Sequence, residues 1–329
     1  MLKIGILGCG RIGQVHARSL QMVDGAQVAA VADAFPAAAE ALAQSTGGKV
    51  MQAGEIITSP DIDAVIIGTP TDTHFDLIQA SAKAGKAIFC EKPVDMSADR
   101  IRECITAVEA AGVVFMTGFN RRFDAGFATM RAKIAAGDIG NVELVTILSR
   151  DPSPPPIDYI KSSGGLFRDM MIHDFDMARF LLGEEVVRVY ATGSALVDAA
   201  IGEAGDVDTA VAVLTTKSGR ICQISNSRRA TYGYDQRVEV HGSRGLLKAE
   251  NLREHNVEIA TERGFRSAPA QHFFLERYAG AYLAEMMHFV DGLSKGTSPS
   301  PGIHDGLAAQ MIADAAAKSL QSGAPVDLG

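Results

Sequence analysis

The sequence predicts an α/β protein: an N-terminal doubly wound parallel sheet, then an α+β domain with a large, mostly antiparallel open sheet. Three observations predict it. Up to about residue 120, short apolar runs alternate with longer helical stretches, the rhythm of βαβ units. The first run feeds directly into Gly8-Cys9-Gly10-Arg11-Ile12-Gly13, a turn of the G-x-G-x-x-G form. Beyond residue 120 the runs lengthen, and 207–217 and 236–241 alternate polar with apolar residues, as strands with unlike faces do. At 329 residues the chain exceeds what one core usually organises, so two domains are expected, 1–120 and 121–329.

In the first domain the runs are 3–7, 28–32, 64–68, 87–90 and 113–117. They carry few polar residues, as expected of parallel strands covered on both faces. Helices are predicted at 11–22, 36–46, 72–84 and 97–111, with Asp72 and Ser97 as N-caps and Gly85 and Gly112 closing two of them. In the second domain a helix at 124–136 precedes an extended stretch at 142–149. Asp151-Pro152-Ser153-Pro154-Pro155-Pro156 cannot continue a helix and reads as a shaped loop. One helix over 167–182 follows, then strands at 186–196, 207–216, 220–227, 236–241 and 246–249. Helices at 274–294 and 304–321 finish the chain.

Within the glycine turn, Gly8 permits the tight bend, Gly10 lets a pyrophosphate approach the backbone, and Gly13 allows close packing of helix on strand. The helix N-terminus turns its positive end to the phosphates, with Arg11 and Ile12 in the same turn. Asp33 ends the second run, where a carboxylate binds ribose hydroxyls. No Lys or Arg lies between Asp33 and Lys49 to meet a 2′-phosphate, so the expected cofactor is NAD rather than NADP. Gly68-Thr69-Pro70-Thr71-Asp72-Thr73-His74 ends another strand at the same crevice. It either lines the nicotinamide ribose or is an ordinary capped turn.

Glu91-Lys92-Pro93 closes the run at 87–90, at the carboxyl edge where open α/β sheets bind ligands. A lysine ammonium there stabilises developing alkoxide character on a substrate hydroxyl. A plain surface lysine paired with Glu91 would not need the stiffening proline. On the helix predicted at 167–182, Asp169, His173 and Asp176 share one face, opposite Met171, Phe175, Ala178 and Leu182. With an ordinary pKa near ~6.5, an imidazole such as His173 suits acceptance of a hydroxyl proton at neutral pH. Asp169 is placed to steady the imidazolium. Together these groups read as a redox site for an alcohol. Gly118-Phe119-Asn120-Arg121-Arg122-Phe123 supplies one arginine to the site, without deciding which. The segment 227–235, with Tyr232 and Tyr234, suits either a polyol or a polar hairpin.

These residues together resemble the family of glucose–fructose oxidoreductases and inositol dehydrogenases, over essentially the whole chain. Glu-Lys-Pro followed by Asp-x-x-x-His is the specific part. The stretches 149–152 with 161–169, and 227–240, look most like the inositol 2-dehydrogenases. The resemblance implies Lys92, Asp169 and His173 as the catalytic set, with Arg122, Asp151, Asp176 and Tyr232 lining a polyol. It implies NAD held by the glycine turn, Asp33, Thr69, Pro70, His74, Glu91 and Lys92. The activity implied is NAD-dependent oxidation of myo-inositol to its 2-ketone. Another inositol isomer, an aldose, or a glycosidase using tightly held NAD are the alternatives. Pairing through the open sheet face, as a dimer or tetramer, is implied as well.

The net charge of -8 argues against nucleic acid as a partner. Cys9, Cys90, Cys104 and Cys222 show no CxxC spacing, so neither a metal site nor a disulfide framework is expected. The N-terminal apolar run is too short for a signal peptide, and no stretch approaches bilayer length. A cytoplasmic protein with no membrane partner is expected.

Overall fold

Runs rich in valine, isoleucine and alanine become parallel strands in the computed structural model, which describes residues 1–328. The strands are β1 (Leu2–Leu7), β2 (Ala26–Ala32), β3 (Lys49–Val50), β4 (Ala64–Ile67), β5 (Ala87–Glu91) and β6 (Phe115–Gly118). They pair in the order β3-β2-β1-β4-β5-β6. Between them run α1 (Arg11–Leu20), α2 (Pro36–Thr46), α3 (Ala53–Thr58), α4 (His74–Lys83) and α5 (Ala98–Ala111). The strand alternation sorts β5 between two layers. Ile88 and Cys90 pack with Ile78 of α4 and Ile101 of α5. Phe89 packs with Ala17 and Leu20 of α1.

Ser97 caps α5 as expected, its hydroxyl accepting the Arg100 N–H, and Gly112 ends it at φ 63°. Asp72 is not an N-cap. It lies inside a one-turn 3-10 helix, Thr71–Thr73, and α4 begins only at His74. β3 and α3 are too short to show periodicity and were not expected.

The chain divides into two compact units, Met1–Phe123 with Gly280–Gln310, and Asp124–Ala279 with the residues from Met311 onward. The segment 280–310 thus belongs with the parallel sheet. Met286, Phe289 and Val290 join one of its layers and Ile303 the other. The Thr117 N–H donates to the Pro301 carbonyl at 2.8 Å.

The second unit contains α6 (Ala125–Ala135), β7 (Val142–Arg150), α7 (Ile157–Ser162), α8 (Gly165–Asp169), α9 (Ile172–Leu182), β8 (Val186–Ser194) and α10 (Ala199–Glu203). Next come β9 (Thr209–Thr216), β10 (Ile221–Ser227), β11 (Asp235–Gly242), β12 (Gly245–Ala249), β13 (Glu258–Thr261), β14 (Gly264–Ser267) and β15 (Val326–Asp327). Seven strands form one sheet, β12-β11-β7-β10-β9-β8-β15, in which only β7 and β10 run parallel. β13 and β14 form a separate hairpin. Burial in β9 switches at every residue, the expected two-faced strand.

The single helix expected over 167–182 is broken. α8 ends at Asp169 and α9 begins at Ile172. Met171 N–H reaches five residues back to the Leu166 carbonyl at 2.9 Å, which also accepts Met170 N–H at 3.0 Å. This widened turn shifts the helical phase between Asp169 and His173.

Candidate active site

The glycine turn has the geometry of a phosphate cradle. Gly8 sits at φ 98°, and a Cβ there would lie 2.6 Å from the Gly68 carbonyl carbon. A Cβ on Gly13 would fall 1.9 Å from the Gly8 carbonyl oxygen, whereas one on Gly10 would meet nothing within 4 Å. Packing therefore demands the outer glycines, while the middle one borders open space. Gly10 starts α1 with no side-chain cap, and a helix N-terminus of this kind can receive an anion. Asp33 accepts the Cys9 N–H on Oδ2 at 2.6 Å and the Phe35 N–H on Oδ1 at 2.8 Å. Its carboxylate is thereby fixed beside the cradle, with lone pairs left for ribose hydroxyls. Burial, then the Asp33 charge, pushes the Cys9 thiol up to about 11, so it stays protonated. These residues fit a dinucleotide.

Thr73 Oγ1 lies 2.7 Å from the Thr69 hydroxyl and 2.8 Å from the Pro70 carbonyl, tightening the turn after β4. His74, expected to line the cofactor, is buried. Its Nε2 faces the Thr69 carbonyl at 2.9 Å and its Nδ1 the Pro93 carbonyl at 3.0 Å. Burial pulls its pKa down against the raising effect of those carbonyls.

At the end of β5, Glu91 turns toward α1. Its Oε1 is 2.6 Å from Nε2 of the buried His16, and its Oε2 accepts the Lys92 N–H at 3.2 Å. The Lys92–Pro93 peptide is cis. His16 was not singled out in the sequence, although helical spacing sets it with Gly13, Ala17 and Leu20 on the buried face of α1. Of the two arginines left open, Arg121 is buried and Arg122 pairs with Asp305 at 2.9 Å.

In the second unit, Asp169 is held at both oxygens. The Tyr159 hydroxyl donates to Oδ1 at 2.9 Å and Arg228 Nη2 to Oδ2 at 3.2 Å. Arg228 is only 1 % exposed, a buried cation whose role beside Asp169 the sequence did not reveal. His173 lies in the first turn of α9. Its neighbour Asp174 is fully buried, accepting Ser149 Oγ at 2.7 Å and Asn226 Nδ2 at 2.9 Å. Asp174 thus ties α9 to β7 and β10 and fixes where His173 stands. Asp176 follows His173 by three residues within α9, on the same side of that helix. It is 1 % exposed and lies 3.8 Å from Arg179 Nη1. Asp151 continues the β7–β10 pairing, its N–H on the Ser227 carbonyl at 3.0 Å. Tyr232 is 54 % exposed and donates to Asp235 Oδ2 at 2.7 Å, whereas Tyr234 is buried against Tyr278. Partial burial, then the bond and charge of Asp235, raise the Tyr232 phenol.

Residues 2–119 match the oxidoreductase family with an NAD-binding Rossmann fold, and residues 127–248 match the GFO/IDH/MocA C-terminal domain. The chain belongs to the GFO/IDH/MocA oxidoreductase family. Its doubly wound sheet followed by a mostly antiparallel one is this family's architecture, and its cofactor is NAD. It is 56% identical, over 97% of each chain, to a protein named inositol 2-dehydrogenase from Rhizobium meliloti (strain 1021). It is 45% identical to a myo-inositol 2-dehydrogenase from Thermotoga maritima, over 99% of this chain and 98% of that one. Among solved structures it superposes on the myo-inositol dehydrogenase of Lactobacillus casei in complex with NAD(H) and myo-inositol. The TM-score is 0.89 at 27% identity, over 100% and 97% of the two chains. Among the described residues no helix is long and apolar enough to cross a membrane.

Proposed function

We propose that this oxidoreductase oxidises a cyclic polyol, taking myo-inositol at its axial carbon-2 hydroxyl to 2-keto-myo-inositol. The observation that carries the substrate is the match, at 56% identity over nearly the full length, to an inositol 2-dehydrogenase. In this reading His173 takes the hydroxyl proton, Lys92 donates to the oxygen as it gains alkoxide character, and Asp169 orients the pair. The glycine turn and Asp33 would hold NAD, whose nicotinamide would supply the hydride acceptor. The Tyr159 and Arg228 bonds hold Asp169 in a single orientation before substrate arrives. Asp151 and Tyr232 are proposed to contact polyol hydroxyls.

The open face of the large sheet carries Leu144, Tyr190 and Ile221, each about two-fifths exposed on alternating positions. Such a face suits association of like subunits, so a homo-oligomer is proposed, checked by light scattering. Four free buried thiols suit the cytoplasm. The test of function is NADH absorbance with purified protein across inositol isomers and aldoses, with NADP as control. Fastest NADH formation from myo-inositol supports the proposal. Preference for an aldose, or free sugar released without net NADH, refutes it.

A further inference from the structure

Two buried imidazoles grip the Lys92 turn from opposite layers of the parallel sheet. Alternation along β5 sends Phe89 and Glu91 to the α1 side and Ile88 and Cys90 to the α4 side. On the α1 side, His16 meets Glu91 Oε1, and its ring lies edge-on to Phe89 and Tyr282, centroids 4.9 and 5.8 Å away. Glu91 is boxed in from β6, because a Cβ on Gly118 would come within 3.0 Å of its carboxyl carbon. Its other oxygen receives the Lys92 N–H. On the α4 side, His74 faces the Pro93 carbonyl with one nitrogen and the Thr69 carbonyl with the other, while Cys90 Sγ sits 3.5 Å from Nδ1. The residues on either side of Lys92 are therefore each held by a histidine. A buried polar ring costs free energy that a leucine in the same layer would not, so packing alone does not account for either imidazole.

We propose that His16 and His74 are positioning residues that set the Lys92 ammonium for reaction, His16 through Glu91 and His74 through the Pro93 carbonyl. This rests on the role proposed for Lys92. A neutral imidazole carries one N–H, placed in this proposal on Nδ1 of His74, donating to the Pro93 carbonyl.

The experiment compares His16→Gln, His74→Gln, His16→Leu, His74→Leu and Lys92→Met, measuring kcat, KM for myo-inositol and Kd for NAD by calorimetry. A misplacement near 1 Å should lower kcat on the order of a hundredfold in the leucine variants and roughly tenfold in the glutamine variants. KM and NAD affinity should stay within about threefold, the signature of an interaction felt mainly in the transition state. Should the leucine variants fail to fold, the glutamine pair decides by the same criterion. Unchanged kcat in the glutamine variants, or kcat and NAD affinity falling together, overturns the inference. If Lys92→Met turns over normally, the proposed role of Lys92 has failed. If Lys92→Met is inactive while both glutamine variants are normal, only the positioning role has.

Discussion

Asp174→Ala and Asp174→Asn should behave very differently, and the reason lies in one hydroxyl proton. Ser149 Oγ lies 2.7 Å from Asp174 Oδ1 and 3.0 Å from Gln236 Oε1, yet a hydroxyl donates only once. With an amide at position 174, the new N–H donates to Ser149, which turns its own proton to Gln236. The amide oxygen goes on accepting from Asn226. The network closes again, and the loss should stay near 1 kcal/mol, the value of exchanging charged for neutral hydrogen bonds. With alanine, Asn226 Nδ2 loses its carboxylate partner in a fully buried place and a void opens beside α9. An unsatisfied buried donor costs about 1–3 kcal/mol, and the void adds to it, so roughly 3 kcal/mol is expected. For a unit of this size that lowers the melting temperature by about 6–12 °C. Calorimetric melting of the two variants beside the parent protein measures it, with turnover recorded in parallel because α9 carries His173. Equal melting temperatures for the two variants, or Asp174→Ala melting like the parent, would refute the reasoning.

His173→Ala should reduce kcat by about 10²–10⁴-fold, the range for removing a general base, while calorimetry finds NAD binding unchanged. Gly13→Ala should abolish NAD binding or destabilise the first unit, since its methyl meets a backbone carbonyl. Gly54→Ala, with nothing within 4 Å, should be neutral in the same titration. Asp208 gives a pH signature. Burial raises its carboxyl, but N–H groups of Leu196, Asp198 and Val197 and the Thr209 hydroxyl outweigh this and hold it below 3.8. A depressed folded-state value stabilises above the ordinary carboxylate range and is lost as pH falls through it. Asp208→Asn should therefore show a lower denaturant midpoint than the parent near pH ~7, the gap closing below about pH ~4. A gap that widened in acid would reverse the assigned sign.

What was legible in the sequence was local. Gly8, Gly10 and Gly13 announce the cradle because each meets a different steric demand in one short turn, and β1, β2, β4, β5 and β6 show because these parallel strands are apolar throughout. The break at Met170–Met171 left no mark, since methionine is a good helix former and no Gly or Pro intervenes. A helical wheel drawn through that point misjudges the phase of Asp169 against His173 and Asp176, which share α9. Nothing local marks Asp174 as buried, because its partners Ser149 and Asn226 lie on strands remote in sequence. His16, likewise, gains meaning only when β5 brings Glu91 beside it. The return of 280–310 to the first unit depends on Met286, Phe289 and Ile303 finding layers that close far earlier in the chain.

In the proposed reaction a hydride leaves carbon 2 of the polyol for the nicotinamide. Supplying myo-inositol deuterated at that carbon and analysing the reduced cofactor by mass spectrometry or NMR tests it directly. One deuterium in each NADH formed and a slowed hydride-transfer step are expected. Unlabelled NADH, or deuterium appearing in water, would contradict it.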